Sequence, residues 1–164
     1  MKTLTAIGGG VAGACAVTLI HETVRRIVPE APRMDLLGMD AIEKGLHSVG
    51  QEAPSRDKLF TWALAGDLVS NAFFYSLAGM GNDKNLWKRS AALGLAAGIG
   101  AVALPGPLGL EKKHSNRTVA TQLMTVGLYV GGALVTTAVM RLLQKRKTRK
   151  QDVWEQRLVT SAMG

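Results

Sequence analysis

Charged side chains are missing from long stretches of this sequence, and their distribution limits what the chain can fold into. Residues 3–20, 91–110 and 119–140 contain no Asp, Glu, Lys or Arg, and residues 59–80 contain only Asp67. A helix of about 17 to 25 apolar residues matches the roughly 30 Å hydrocarbon core of a bilayer. The alternative is a soluble bundle of four buried helices, but each helix would then need a polar outer face, and none of these stretches provides one.

The sequence therefore predicts an all-α fold, an integral membrane four-helix bundle that forms a single membrane domain. Between the first two spans, Met39, Ile42, Leu46 and Val49 recur at helical spacing opposite charged residues, which indicates an amphipathic helix on the membrane or over the bundle. The predicted elements are spans at residues 3–28, 59–80, 90–107 and 118–143, a surface helix at 35–49, and a basic cytoplasmic tail at 144–164.

The basic residues flank the predicted spans. The net charge is +8, yet nucleic-acid binding is not expected, because aromatic residues are few and no recognition element is visible. We define side B as the surface that holds residues 25–58 and 111–117, and side A as the opposite surface, which holds the N-terminus, residues 81–89 and the tail. The dense positive cluster at residues 145–150 favours side A as cytoplasmic. Both termini are then expected in the cytoplasm, with the protein in a bacterial inner membrane.

Two features of the N-terminal stretch limit other interpretations. Residues 2–16 also resemble a cleavable signal or a lipoprotein signal, but only one positive side chain precedes the apolar run, so cleavage is not expected. Cys15 is the single cysteine, which excludes an intramolecular disulfide and any site built from several cysteines.

Small residues spaced four apart occur in three of the predicted spans. In a bilayer such pairs let helix backbones approach closely. They could serve packing within the bundle, which is the favoured interpretation, or self-association. The predicted helix-packing residues are Gly9, Gly13, Gly94, Gly98, Gly127 and Gly131.

Asp67 is the most informative single residue, because an aspartate within a span is costly unless it is protonated, paired or turned towards other helices. Ser70 and Asn71 follow three and four residues later and share its helix face. Further polar residues lie towards side B and outline a candidate polar pocket. Its predicted members are Asp67, Ser70, Asn71, Gln122, Thr125, His21 and Glu22. Structural hydrogen bonding between helices, a ligand or ion pocket, and catalysis are all consistent with this set, and the first is favoured.

Neither an acid/base pair nor a metal site is expected. His21 and Glu22 are adjacent on a helix and point about 100° apart, so they do not converge on one substrate atom. His21, His47 and His114 have irregular spacing that matches no metal-site pattern. No cofactor motif is present. Basic residues near the span ends are expected to contact lipid headgroups, namely Arg25, Arg26, Lys145, Arg146 and Lys147.

The predicted function is that of a small multi-pass membrane protein without enzymatic activity, a subunit or scaffold. The alternative is a small transporter or channel in which Asp67 couples ion or proton movement. A membrane enzyme that acts on lipid headgroups at side B, with Glu22 in the site, is a third hypothesis. The expected partners are the lipid bilayer and other membrane subunits or further copies of the chain, and nucleic acid is not among them.

Overall fold

The structure, a computed structural model, describes the backbone of residues 3–162 and the side chains in that range except those of residues 150–153, 155–157 and 159–162. All regular secondary structure in this range is helical, which confirms the predicted all-α class. Two 3₁₀ turns, Leu77–Gly79 and Asp83–Asn85, lie between the third and fourth α-helices. The described α-helices are α1 (Thr3–Ile27), α2 (Met34–Ser48), α3 (Arg56–Ser76), α4 (Leu86–Ala103), α5 (Lys113–Asn116) and α6 (Val119–Ala162).

The four long helices pack in the order α3, α1, α6, α4. Helix α1 lies between α3 and α6, and α6 also packs along α4, whereas α3 and α4 make few contacts with each other. Val17 of α1, Tyr75 of α3 and Ala133 of α6 form the central core cluster. Because α3 and α4 are the two outer members of this row, a gap remains between them.

Helix α2 closes the side-B end of the bundle. Its Met39 packs against Leu59 and Ala63 of α3 in a second core cluster. The Lys44 ammonium donates to the backbone oxygens of Leu108 (2.7 Å) and Gly109 (3.2 Å), which connects α2 to the loop after α4. Of the two placements expected for the amphipathic helix, the structure thus has the one over the bundle.

The ends of α3 and α4 differ from the predicted span limits. Helix α3 begins at Arg56, three residues before the apolar stretch, because exposed charged residues can form the first turn of a helix. Helix α4 ends at Ala103 and not at residue 107. Pro105 explains this end, because proline lacks the backbone N–H that the next helical hydrogen bond would need.

Helix α6 is longer than the predicted fourth span. It comprises 44 residues, which corresponds to about 66 Å of helix. The expected end near residue 143 is not observed, because residues 141–162 contain no Gly or Pro to interrupt the helix. Residues 163 and 164 of the predicted tail lie outside the described residues.

Two helices are long and apolar enough to cross a membrane. They are α1 (Thr3–Ile27) and the first part of α6 (Val119–Arg149). Helix α3 is less apolar because it carries Asp67 and Asn71 as well as a charged first turn. Helix α4 has only 18 residues, and its first turn includes Lys88 and Arg89. The predicted four-span membrane bundle is therefore not confirmed: two of its four long helices have the length and apolar composition of a span.

Candidate functional site

Asp67 lies between α3 and α1, with both carboxylate oxygens hydrogen-bonded. The Thr18 hydroxyl of α1 donates to Oδ2 over 3.1 Å, and the Asn71 side-chain amide donates to Oδ1 over 2.8 Å. Ser70, which was predicted on the same face, donates to the backbone oxygen of Asp67 and leaves the carboxylate untouched. Among the described residues Asp67 forms no ion pair. Its carboxylate thus receives neutral hydrogen bonds without a neighbouring cation in contact.

A large cleft opens beside Asp67, between α3 and α4. It has a volume of about 650 Å³, within the usual range for small-molecule sites of about 300 to 1,000 Å³. Ala96, Ala97 and Gly100 form its α4 wall, and the short side chains leave it wide. Asp67, Ser70 and Asn71 contribute most of the polar groups, and the rest of the lining is mainly apolar. Exposed lining residues include Gly66 and Leu104, so the cleft is open at the protein surface.

The side-B end of the cleft is covered by α2 and the loop after α4. Leu37, Ala41 and Ile42 of α2 and Leu108 of the loop line this end. Gly38 lies where α2 crosses α3, and a Cβ added there would come within 3.1 Å of the Ala63 Cβ. The Asp40 carboxylate and the His114 ring lie 3.0 Å apart and connect α2 to α5. The cover is thus attached at several points, and the cleft extends from Asp67 to beneath α2.

Two much smaller voids lie on the other side of Asp67. One, of about 10 Å³, is lined by Asp67, His21 and Thr125 among others. The second, of about 20 Å³, is lined by Asp67, His21 and Glu22. Each offers roughly the space of one water molecule. Asp67 is therefore bordered by the cleft on one side and by water-sized spaces towards side B on the other.

The predicted polar pocket is divided among these three spaces. Asp67 borders all of them, whereas Ser70 lines only the cleft and His21 lines only the small voids. Gln122 lies apart, where its side chain donates to the Asn116 side-chain oxygen. Thr125 donates to the backbone oxygen of Thr121 within its own helix, over 2.8 Å.

His21 and Glu22 already have partners in the structure. The His21 Nε2 lies 2.8 Å from the backbone oxygen of Pro32 and 3.4 Å from the backbone nitrogen of Met34. Glu22 accepts two hydrogen bonds from Arg25, over 2.8 and 2.6 Å. Arg25 also faces Asp35 at 3.5 Å. These contacts hold Glu22 in an ion pair at the end of α1, and the enzymatic hypothesis built on it receives no support from this geometry.

Asp35 is the acidic centre of this ion-pair group, and its side chain is only 6% exposed. Burial acts to raise the pKa of its carboxyl, but two hydrogen bonds from Arg33 and the positive charges of Arg33 and Arg25 outweigh burial, so the pKa is lowered. The same contacts raise the pKa of the Arg33 guanidinium. The group stabilises the connection between α1 and α2.

Four of the six predicted packing glycines lie at helix contacts. A Cβ added to Gly9 or Gly13 would come within 3.0 or 2.6 Å of backbone oxygens of α6, and one added to Gly94 or Gly98 within 2.9 or 2.6 Å of its Cα atoms. Gly127 and Gly131 have nothing within 4 Å of such a Cβ in the described part of the chain.

The basic residues predicted at lipid headgroups differ in exposure. The Arg25 side chain is 16% exposed and is engaged by two carboxylates, whereas the Arg26 side chain is 71% exposed. Lys145, Arg146 and Lys147 are exposed on the part of α6 that extends past the bundle.

The sequence interpretation missed Thr18 and Tyr129. Thr18 lies about 14 Å from the side-B end of α1, and Asp67 lies about 16 Å from that end of α3, at 1.5 Å per residue. This match in depth is a signal that could have paired the two side chains. Tyr129 of α6 lines both the cleft and a small void. No local pattern identifies it, because its position depends on how α6 packs.

Comparison with known protein families, with curated proteins and with solved structures gives no match. Across the described residues, no group of three or more His, Cys, Asp or Glu side chains is placed to hold a metal ion. The geometry around Asp67 is therefore the main evidence on function.

Proposed function

We propose that this chain is a multi-pass membrane protein in which all four long helices cross the bilayer. Large apolar side chains exposed on the outer faces of these helices support the proposal. Examples are Leu19 of α1 (68% exposed), Phe73 of α3 (71%), Ile99 of α4 (56%) and Leu123 of α6 (68%). A core helix of a soluble protein is mostly buried, whereas only 28% and 33% of the most apolar windows of α1 and α6 are buried.

In this proposal both chain termini lie on the cytoplasmic side. The exposed basic residues at the end of α6 support this orientation. Single cysteines placed at Gln51 and at Lys147 in a Cys15→Ser background test it. A membrane-impermeant maleimide added to intact cells should label the first and spare the second, and labelling of both or of neither would contradict the topology.

Within the membrane we propose a non-enzymatic binding subunit whose cleft between α3 and α4 takes up an apolar or amphiphilic molecule from the bilayer. The observation that carries this proposal is the cleft itself. It lies between two helices with apolar outer faces, it is lined by small and apolar side chains, and its side-B end is covered by α2. A molecule dissolved in the bilayer therefore reaches it sideways.

Filling the cleft tests this function. Gly66 lines the cleft, and a Cβ added there meets nothing within 4 Å, so Gly66→Phe places a ring in the cleft without a clash at the backbone. Gly127 has the same free space but lies outside the cleft, which makes Gly127→Phe the matched control. The probe is hexadecanol with a diazirine in its chain, added to vesicles that contain the protein. Crosslinked peptides are mapped by mass spectrometry.

We expect crosslinks in the peptides that contain Gly66 and Gly100. Gly66→Phe should reduce them by about tenfold, as loss of a filled apolar site implies, whereas Gly127→Phe should leave them unchanged. Equal labelling of all outer helix faces, or equal loss in both variants, would contradict cleft binding.

A small transporter or channel is the second candidate, and the two water-sized voids favour it. They border Asp67 towards side B, opposite the cleft. A carboxyl placed between a ligand space and such voids could exchange protons with side B. Asp67→Asn should then abolish proton-linked dye quenching in proteoliposomes while the hexadecanol probe still labels the cleft. Wild-type vesicles that show no flux with any tested cation or amine would remove this candidate.

A further inference from the structure

The polar floor of the cleft retains unused hydrogen-bonding capacity. The Asn71 amide donates to Asp67, but the Asn71 side-chain oxygen accepts no hydrogen bond from a described residue, although the side chain as a whole is buried. The Tyr129 hydroxyl likewise has no hydrogen-bond partner in the described part of the chain. Both residues line the cleft together with Asp67. Both oxygens are accessible and both residues line the cleft, so this floor offers acceptors to a polar group of a bound molecule.

The charge carried by the lining of the cleft is negative only. Asp67 is its acidic residue, and no Lys or Arg is among the described residues that line it. Glu22, which borders a small void, is paired with Arg25, and the Lys44 ammonium on the cover bonds to the backbone oxygens of Leu108 and Gly109. An ionised carboxylate that lacks a cation in an apolar setting is costly, and a ligand cation reduces that cost.

We infer that the cleft binds single-chain amphiphiles with a primary amine head, in which the ammonium group contacts Asp67 and the chain lies beneath α2. An ammonium group donates three hydrogen bonds and accepts none. The Asp67 carboxylate, the Asn71 side-chain oxygen and the Tyr129 hydroxyl oxygen are the acceptors at the floor. Leu37 and Leu104 line the apolar part of the cleft, which takes the chain. This inference rests on the proposed function, because it specifies the head group of the molecule that the cleft binds.

Competition among three probes with the same chain tests the inference. Hexadecylamine, unlabelled hexadecanol and palmitic acid each compete with the diazirine-bearing hexadecanol for wild-type protein in neutral phosphatidylcholine vesicles. We expect hexadecylamine to compete at an about tenfold lower concentration than hexadecanol, because the hydrogen bond to Asp67 becomes charge-assisted. Palmitic acid should be the weakest competitor. Equal competition by all three probes in the wild-type protein would overturn the inference.

Asp67→Asn keeps the shape of the side chain and removes its charge. The ratio between the competing concentrations of hexadecanol and hexadecylamine should then fall from about ten to about one. Asp57→Asn is the matched control, because Asp57 lies in the exposed first turn of the same helix and does not line the cleft. A preference for the amine that persists in Asp67→Asn would overturn the assignment. Should that variant fail to fold, the ranking of the three probes on wild-type protein still decides the matter.

The two proposals can fail separately. Labelling that is insensitive to Gly66→Phe removes the binding function and the inference with it. Labelling that is lost in Gly66→Phe but shows no preference for the amine keeps the binding function and removes the inference about the head group.

Discussion

The Thr18 hydroxyl of α1 donates a 3.1 Å hydrogen bond to Oδ2 of Asp67 in α3. The bond connects two neighbouring helices at the wall of the cleft, and it leaves the other carboxylate oxygen to Asn71. Thr18 thus positions Asp67, and the geometry of the cleft floor depends on a residue that does not line the cleft.

Thr18→Val should weaken the contact between α1 and α3. Valine keeps the branched shape and removes the hydroxyl, so Asp67 loses one of its two side-chain donors. We expect a loss of about 0.5 to 2 kcal/mol in unfolding free energy, the range measured for hydrogen bonds between membrane helices. Thermal unfolding in detergent, followed by tryptophan fluorescence, measures it. Thr23→Val is the control, because the Thr23 hydroxyl bonds only to its own helix, at Leu19. Equal losses of unfolding free energy in both variants would show that the hydrogen bond to Asp67 contributes no more than one within a single helix.

Gly98→Ala should separate α4 from α6. A Cβ on Gly98 would lie 2.6 Å from the Val126 Cα, which is backbone and cannot rotate away. We expect a loss of about 1 to 3 kcal/mol, as for overpacked interiors. Gly127→Ala should be neutral or slightly stabilising, because the space around Gly127 is open and alanine favours a helix. Resistance to denaturation in detergent compares the two, and a neutral Gly98→Ala would indicate that the helices adjust freely.

The ion-pair group at Asp35 predicts a pH dependence of stability. The folded-state pKa of Asp35 lies below its usual 3.8, so the ionised carboxylate stabilises the fold above that pH and this contribution is lost as the pH falls below it. At neutral pH, Asp35→Asn should cost about 1 to 3 kcal/mol, because hydrogen bonds to charged groups are removed. The difference from the wild type should shrink below pH 3.8. Asp57→Asn, in the exposed first turn of α3, is the control and should cost less than Asp35→Asn at neutral pH. A pH-independent gap for Asp35→Asn would contradict the assignment.

Lys44→Met should loosen the cover of the cleft. The Lys44 ammonium bonds to the backbone oxygens of Leu108 and Gly109, and methionine retains the chain length without the donors. We expect faster hydrogen–deuterium exchange in residues 104–110 and faster photolabelling of the cleft by the hexadecanol probe. Lys58→Met, at an exposed position in the first turn of α3, should change neither rate. Unchanged exchange in Lys44→Met would mean that other contacts hold the cover in place.

Local sequence was sufficient to predict the four long helices and the face of α3 that carries Asp67 and Asn71. Uncharged stretches marked where the four long helices run, and the spacing of Asp67 and Asn71 placed them on one face of α3. Helix periodicity depends only on residues a few positions apart, so it can be predicted without knowing the neighbours. The extent of α6 was underestimated, because the polar residues after Arg141 favour a helix as well as a tail.

Contacts between helices could not be predicted in the same way. The glycine pairs of α1, α4 and α6 look alike in sequence, yet Gly13 and Gly98 lie against another helix while Gly127 does not. Which pair is used depends on the order of packing, and that order is determined by the whole set of interfaces. From the sequence, Glu22 was likewise a candidate for a site that acts on lipid headgroups. In the structure its carboxylate is paired with Arg25.

The sequence by itself determined the all-helical class, the apolar character of α1 and α6, and the presence of one acidic residue, Asp67, within an apolar stretch. Only the tertiary structure decided that α3 and α4 leave a cleft between them, that Thr18 holds Asp67, and that Tyr129 shares its floor. The reason is physical: helix formation follows from short-range hydrogen bonds and residue preferences, whereas a cleft is the space that remains after distant segments have packed.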